Sequence, residues 1–513
     1  MSAITADAQP AKGSASIWMI GILLATANFL AVLDTTIANV SIQNISGDLG
    51  VSASQGAWVI TSYAVAEAIS VPLTGWLAGR FGAVRVFATS MVGFGICSAL
   101  CGLAPSLGLL VLFRVLQGLF GGPLLPLSQT LLMHIFPKKQ LPAAMALWVV
   151  TTLTAPVAGP ILGGYLCDNF GWPSIFWVNV PIALIAAPIV FGMLKSKETE
   201  LQKAAKVDYV GLGLLVVWVG ALQLILDLGK EHEWFASPMI VTLGVVAVLG
   251  FFAFLIWELT EKNPIVSLRV FRRPGYAVCA LTMALGYGAF MAANVLTPNW
   301  LQASMGYTAT QAGMACSTLG IFAIIAAPIV AKLVNRVDVR ALVCGGLVWL
   351  AAICLFRAAG TSSITFGWVA GLMFLMGAGM PFFFLPLNTL ALSSIDEDET
   401  AAGAGLMNFI RTVSGAFATS MVNTAWEDGA QQKQDQLSGT LNGAQAAMDR
   451  MVAAGGLTAD QALSNLTGIV QGQAVMLATN QLMGTSAILF LFAGLAIWLA
   501  PKPARLAEAS LGH

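Results

Sequence analysis

The sequence predicts an all-α integral membrane protein with fourteen transmembrane helices, and three observations predict it. Hydrophobic residues make up 58% of the 513 and charged ones only 9%, where soluble domains carry about 25% charged residues. Apolar runs of the length that spans a bilayer's hydrocarbon core recur along the whole chain. Lys and Arg alternate between abundance and scarcity in successive connections. In lipid each run must be helical, because an open strand leaves backbone N–H and C=O groups unpaired.

The runs fall near 17–38, 57–78, 84–103, 107–133, 142–165, 173–194, 208–228, 239–260, 276–300, 310–331, 340–357, 365–392, 401–425 and 481–500. One set of alternate connections holds most of the basic residues, among them Arg80, Arg85, Lys138, Lys139, Lys195, Arg269, Arg272, Arg273 and Arg336. The other holds only Lys230, Arg357, Lys433 and Arg450. Basic residues accumulate on the cytoplasmic side, so both termini are expected there. Residues 1–16 then form a polar cytoplasmic tail with no signal peptide, and 501–513 a second tail.

One long hydrophilic insertion, 426–480, lies on the outer side and is a candidate docking surface. Its second half, 444–483, reads as one or two amphipathic helices separated at Gly455-Gly456. The seven cysteines lie in or at the edge of apolar runs, which argues against a disulfide framework and against metal chemistry. A formal net charge of zero gives no reason to expect a nucleic-acid partner.

Five motifs then follow in order. Leu33-Asp34-Thr35-Thr36-Ile37-Ala38-Asn39-Val40 closes span 1. Gly75-Trp76-Leu77-Ala78-Gly79-Arg80-Phe81-Gly82, with Arg85, joins spans 2 and 3. Phe113-Arg114-Val115-Leu116-Gln117-Gly118 lies in span 4, and Gly159-Pro160-Ile161-Leu162-Gly163-Gly164 in span 5. Trp172, Phe176, Asn179 and Pro181 open span 6.

These motifs resemble the fourteen-helix drug:proton antiporters of the major facilitator superfamily. Gln55-Gly56-Ala57-Trp58 and Trp257-Glu258-Leu259 are similar to the EmrB-type exporters of Gram-negative bacteria. The resemblance implies two six-helix halves, 17–194 and 276–500, with 195–275 supplying a linker and an inserted helix pair. It also implies proton-driven export of hydrophobic drugs across the inner membrane, with a periplasmic adaptor protein and an outer-membrane channel as partners. The proton gradient would be the energy source, and no cofactor is expected. The superfamily's loop motif usually has Asp where this chain has Gly79, so a latch paired through that Asp is not expected here.

An ionisable group inside a span costs at least about 2.5–3.5 kcal/mol on insertion scales, so each needs a reason. Asp34 is the first candidate for a proton carrier, the alternative being a structural cap. Glu67, deep in span 2, is a second proton site, an acidic contact for cationic drugs, or a carboxylate tied to a neighbouring helix. Arg114 is a buried cation that would hold a nearby acid ionised, and Arg411 in span 13 reads as the only other buried base. Gly159, Gly163 and Gly164 lie nearly on one helix face, and Pro160 kinks that helix, which suits close packing and rocking. Gly75, Arg80, Gly82 and Arg85 form the candidate gating loop.

The substrate cavity is expected at the midplane between the halves. Its candidate lining is Gln117, Asn294, Trp300, Gln302, Phe382, Phe383, Phe384, Asn388, Asn408 and Arg411. No nucleotide-binding G-x-x-x-x-G-K-[ST] loop is present, and His134, His232 and His513 belong to no H-E-x-x-H pattern. An ATP-driven pump and an enzyme are therefore disfavoured. Export of a single metabolite, such as a siderophore or fatty acid, remains the alternative to multidrug export. A membrane enzyme or sensor on the same fold would need an added domain.

Overall fold

The computed structural model describes residues 12–137, 140–195, 208–262, 264–307, 309–334, 336–361, 364–396, 399–440, 452–453 and 458–501. Among them the secondary structure is helical, with no strand. Each predicted span falls on helix, and prolines decide where the rods break. Span 2 divides into Ala53–Ser70 and Thr74–Phe81 around Pro72, and span 4 into Leu107–Gly121 and Leu124–Ile135 at Gly122-Pro123. A proline lacks the N–H that the preceding turn needs. Span 5, Leu141–Phe170, stays helical but turns by 50° between Pro156 and Ile161.

Eleven described helices are long and apolar enough to cross a membrane, or twelve if the bent span 5 counts as one. Fourteen were expected, and by length and hydropathy the described residues give eleven to twelve. The remaining two are span 2, interrupted at Pro72, and span 13, whose helix Thr400–Thr440 carries Asn408, Arg411, Asn423 and a polar distal third. Both spans sit between other helices, so they need no uniformly apolar surface.

The insertion 426–480 corrects the sequence reading. Its two ends are not separate elements but extensions of the flanking spans. Thr400–Thr440 is one helix of 41 residues and Ala459–Ala496 one of 38. At 1.5 Å per residue each is close to 60 Å long, about twice the hydrocarbon thickness. Together they form a projecting hairpin. A capping box between Thr458 and Gln461 starts the second helix. No break separates the amphipathic stretch from span 14: the helix from Ala459 contains no proline and runs on through Gly468 and Gly472. Gly455-Gly456 lies outside the described residues.

The inserted pair, Tyr209–Leu228 and Pro238–Thr260, packs along the seam between spans 2 and 13. Trp218 meets Phe409 edge-on with ring centroids 5.9 Å apart. Ser420 donates to the Leu226 carbonyl at 2.7 Å, Trp234 Nε1 donates to Thr424 at 3.1 Å, and Lys230 pairs with Glu427. The second helix of the pair buries only 17% of its most apolar stretch, so its surface faces lipid. At the lysine- and arginine-rich end the seam is shut. A Cβ on Gly75 would lie 2.6 Å from the Ala402 Cα, so only glycine permits that approach of span 2 to span 13.

Candidate functional site

Three helices meet at Asp34, its own among them. The first span, Lys12–Val40, carries it wholly buried. Arg114 and Gln117, three residues apart on span 4, share a helix face. Arg114 Nη1 lies 2.5 Å from Asp34 Oδ2, and Gln117 Nε2 donates to Oδ1 at 3.0 Å. Asn179, where span 6 begins its long helix, donates to the same Oδ1 at 2.9 Å.

Arg114 is held through other atoms as well, although its Nη2 has no partner among the described residues. Its Nε donates to the Val59 carbonyl at 2.9 Å, Nη1 also reaches Gln117 Oε1 at 2.9 Å, and the guanidinium lies 4.2 Å from the Tyr63 ring centroid. Two charges taken out of water are tolerated only when the geometry is good and the remaining lone pairs are bonded. Asp34 meets that condition with three donors. Of the expected residues, Asp34, Arg114 and Gln117 thus form one site, with Gln117 in the ion-pair network rather than in the substrate cavity.

The opposite side of span 1 is keyed to span 5. Asn28 Nδ2 reaches the Trp148 carbonyl at 3.1 Å, Thr151 at 2.9 Å and Thr152 at 2.7 Å. Thr36 Oγ1 lies 3.5 Å from the Ala155 carbonyl. A Cβ on Gly159 would come within 2.2 Å of Thr36 Oγ1, and one on Gly163 within 2.9 Å of Ile37. The expected glycine face is therefore two residues wide. Gly164 departs from it, since a Cβ there meets nothing within 4 Å: five residues of helix rotate it off the contact. Pro160 lies in the bent part of this helix.

Span 5 also borders a narrow central cleft of about 30 Å³, where Thr152 and Pro156 face Tyr287, Asn294 and Phe384. That volume holds about one water molecule. Phe384 stacks on Trp148 across the two halves, at 6.0 Å between centroids and 5° between planes. Beside it Gln129 of span 4 donates to Asn388 Oδ1 at 3.2 Å and accepts from Asn408 Nδ2 at 3.2 Å. Arg411 lies over the rings of Tyr287 and Phe384, at 5.6 Å and 5.9 Å. Its Nε has no partner. Glu67 is half-buried, and among the described residues no side chain bonds its carboxylate; Arg411, Asp34 and Arg114 are charges acting on it.

Asn294 and Phe384 thus line the cleft with Asn388, Asn408 and Arg411 close by, and three other candidates lie elsewhere. Trp300 lies further along span 9, in a separate groove, and Gln302 is exposed and bonded to the Pro298 carbonyl, because the helix carries both past the midplane. Phe383 is wholly buried against Gly286 and Gly346, one residue's rotation away from Phe384. Nor is Arg411 the second and last buried base. Arg357, read as a loop residue, folds back into the bundle, where it bonds Thr297 and approaches the sulfurs of Met373 and Met376 at 3.7 Å and 3.9 Å. Arg340 is likewise buried, donating to Asp338 and to the Ala500 carbonyl.

In the candidate gating loop, Gly82 has φ +93° and separates Thr74–Phe81 from Ala83–Gly102, a conformation that favours glycine. Arg80 lies 5.6 Å from the rings of Trp76 and Phe81. Arg85 is exposed and borders a lipid-side groove with Phe120 and Phe191.

A sequence profile of the Major Facilitator Superfamily matches residues 24–419. The chain belongs to the Major Facilitator Superfamily. Among its relatives, the multidrug export protein EmrB of Escherichia coli (strain K12) is 40% identical over 501 residues, covering 96% of this chain and 97% of that protein. The fatty acid resistance protein FarB of Neisseria gonorrhoeae is 40% identical over 504 residues, with 97% and 98% covered. Two solved structures share the fold. The human organic anion transporter MFSD10 (TETRAN) has a TM-score of 0.57 at 14% identity, covering 93% of this chain and 99% of that one. The proton:xylose symporter XylE has a TM-score of 0.59 at 13% identity, with 95% and 97% covered. This major facilitator chain is therefore a transporter by fold, with its ion pair inside the first half.

Sequence reasoning missed Tyr63, Gln129, Trp148 and Tyr287. Gln129 carried a signal, since Ser128-Gln129-Thr130 is a polar triplet inside an apolar span. The aromatic residues carried none, because an aromatic facing lipid reads the same as one facing the cleft.

Proposed function

We propose that the chain is a proton-coupled antiporter that exports hydrophobic, drug-like compounds across the inner membrane, with Asp34 as the proton carrier. The observation that carries this is mechanical. The helix that holds the Asp34–Arg114 pair on one side is locked to span 5 on the other, and span 5 borders the cleft. A ligand that widens the cleft displaces span 5, span 1 follows through Asn28 and the Gly159 contact, and the ion pair opens. Asp34 separated from Arg114 in a low-dielectric site takes up a proton. Re-formation of the pair expels it. Arg114 thus sets when the proton leaves, and Glu67 is the second place for it to rest.

The layout that suits this mechanism is fourteen crossings in two halves, 17–194 and 276–500, around an inserted pair within 195–275. The basic-residue bias puts both termini and the Gly75–Ala402 contact in the cytoplasm and the hairpin outside. The similarity to EmrB supports a periplasmic adaptor and an outer-membrane channel as partners, with the hairpin as the adaptor's contact. A pull-down with 426–480 deleted tests that contact, and undiminished adaptor capture would exclude it.

The transport reading is tested by proton release from acidified everted vesicles on adding a panel of lipophilic drugs. Native protein should release protons and Asp34→Asn should not. Equal release by both would remove Asp34 as the carrier, and no release by native protein would remove drug:proton exchange.

One observation favours a second reading, export of fatty acids. Arg411 brings a cation without an acidic partner to the cleft, and an amphiphilic carboxylate would complete it. Proton release driven by a long-chain fatty acid and by no drug in the panel would select it.

A further inference from the structure

Beyond the central cleft, the end of span 9 and the hairpin's returning helix enclose a cavity of about 380 Å³. Sites for drug-sized ligands run from about 300 to 1,000 Å³. Span 9 contributes Trp300, Ser304 and Met305, and the returning helix brings Ile469 and Met476 against them. Asn294, in the cleft, is eleven residues from Met305, so the two sites are about 16 Å apart along one helix.

Three features define what this cavity takes. Trp300 is only 4% exposed, and its indole N–H and the Ser304 hydroxyl, both closed to solvent, have no partner among the described residues. A buried donor left unpaired costs about 1–3 kcal/mol, so a ligand for which the Trp300 ring turns its N–H outward recovers that cost. None of the described residues lining the cavity is charged, which selects a neutral ligand. Met305, Ile469 and Met476 supply a deformable apolar wall, suited to flat apolar groups. Space is kept open by Gly468 and Gly472, where a Cβ would meet nothing within 4 Å.

We propose that this cavity is a second ligand site, at the hairpin end of the molecule, for neutral aromatic compounds that carry a hydrogen-bond acceptor. It does not depend on the transport reading, since binding there needs no proton gradient and no movement of Asp34.

Benzophenone is a fitting probe: it is neutral and flat, its carbonyl can accept from Trp300, and on illumination it inserts into nearby C–H bonds. The experiment labels the full-length protein in lipid nanodiscs without a gradient and maps the adducts by mass spectrometry. Saturable adducts are expected on the peptides holding Met305 and Met476. Gly468→Leu and Gly472→Leu each place a side chain in open space and should cut that labelling at least about tenfold with the melting temperature unchanged. Trp300→Phe should cut it roughly three- to tenfold, the worth of one hydrogen bond. Labelling that rises linearly with concentration and ignores both leucine variants would make the groove an ordinary lipid-facing surface and overturn the proposal. Labelling unchanged in Trp300→Phe would overturn it too, because the acceptor requirement would be gone.

Discussion

The two halves handle buried cations in opposite ways. In the first half Arg114 is tied to a carboxylate at 2.5 Å, to a backbone carbonyl and to a glutamine, with only Nη2 lacking a partner among the described residues, and both oxygens of Asp34 are bonded. In the second half Arg411 rests on two aromatic faces with an unpartnered Nε, and Arg357 has a hydroxyl and two thioethers but no acid. A paired charge is part of the protein's own framework. An unpaired charge beside a cleft is an offer to something that arrives. The proposed roles follow that difference, with proton exchange in the first half and cargo recognition in the second.

The largest expected effect breaks the first half. Arg114→Ala leaves Asp34 buried without its counter-charge and should cost about 3–5 kcal/mol, seen as a large drop in melting temperature in detergent. Arg411→Ala removes a cation that bonds no acid and acts on Glu67 only through its charge, so the melting temperature should fall far less. Equal destabilisation by the two variants would erase the contrast between the halves.

The next effect is steric. Gly159→Leu forces a side chain into Thr36 and should cost about 1–3 kcal/mol as overpacking, with proton release lost, whereas Gly164→Leu should leave both unchanged. Loss of function in Gly164→Leu alone would place the moving contact elsewhere on span 5.

A change in selectivity comes third. Arg411→Ala should weaken an anionic amphiphile by about tenfold, or about 1.4 kcal/mol, relative to a neutral drug of similar size, measured as competition for proton release. An equal loss for both would make Arg411 a structural residue. The smallest effect belongs to the surface: Lys230→Ala breaks an exposed pair with Glu427 and should change the melting temperature by less than about 1 kcal/mol implies.

Much of this contrast was legible before any coordinates. Asp34, Arg114 and Arg411 stand out because a charge in an apolar run is rare and costly, and the motifs put the first two in one half. The distance between them was not legible, since nothing in hydropathy says which faces of spans 1, 4 and 6 meet. Arg357 was misread for a related reason: a basic residue at a span's end has the same sequence context whether it points to water or folds inward. Phe383 and Phe384 differ only by one step around a helix, and that step sends one to the core and the other to the cleft.

The sequence by itself determined the membrane class, the helical runs, the side on which basic residues gather and the superfamily, because lipid imposes hydrogen-bonded helices of set length and motifs name themselves. Tertiary structure alone decided that Gln117 and Asn179 share one carboxylate oxygen, that Gly163 packs and Gly164 does not, and that spans 13 and 14 run on as a hairpin. In a bilayer the lipid-facing and protein-facing sides of a helix are both apolar. Which side faces which is therefore fixed by shape and by the few polar contacts that only packing brings together.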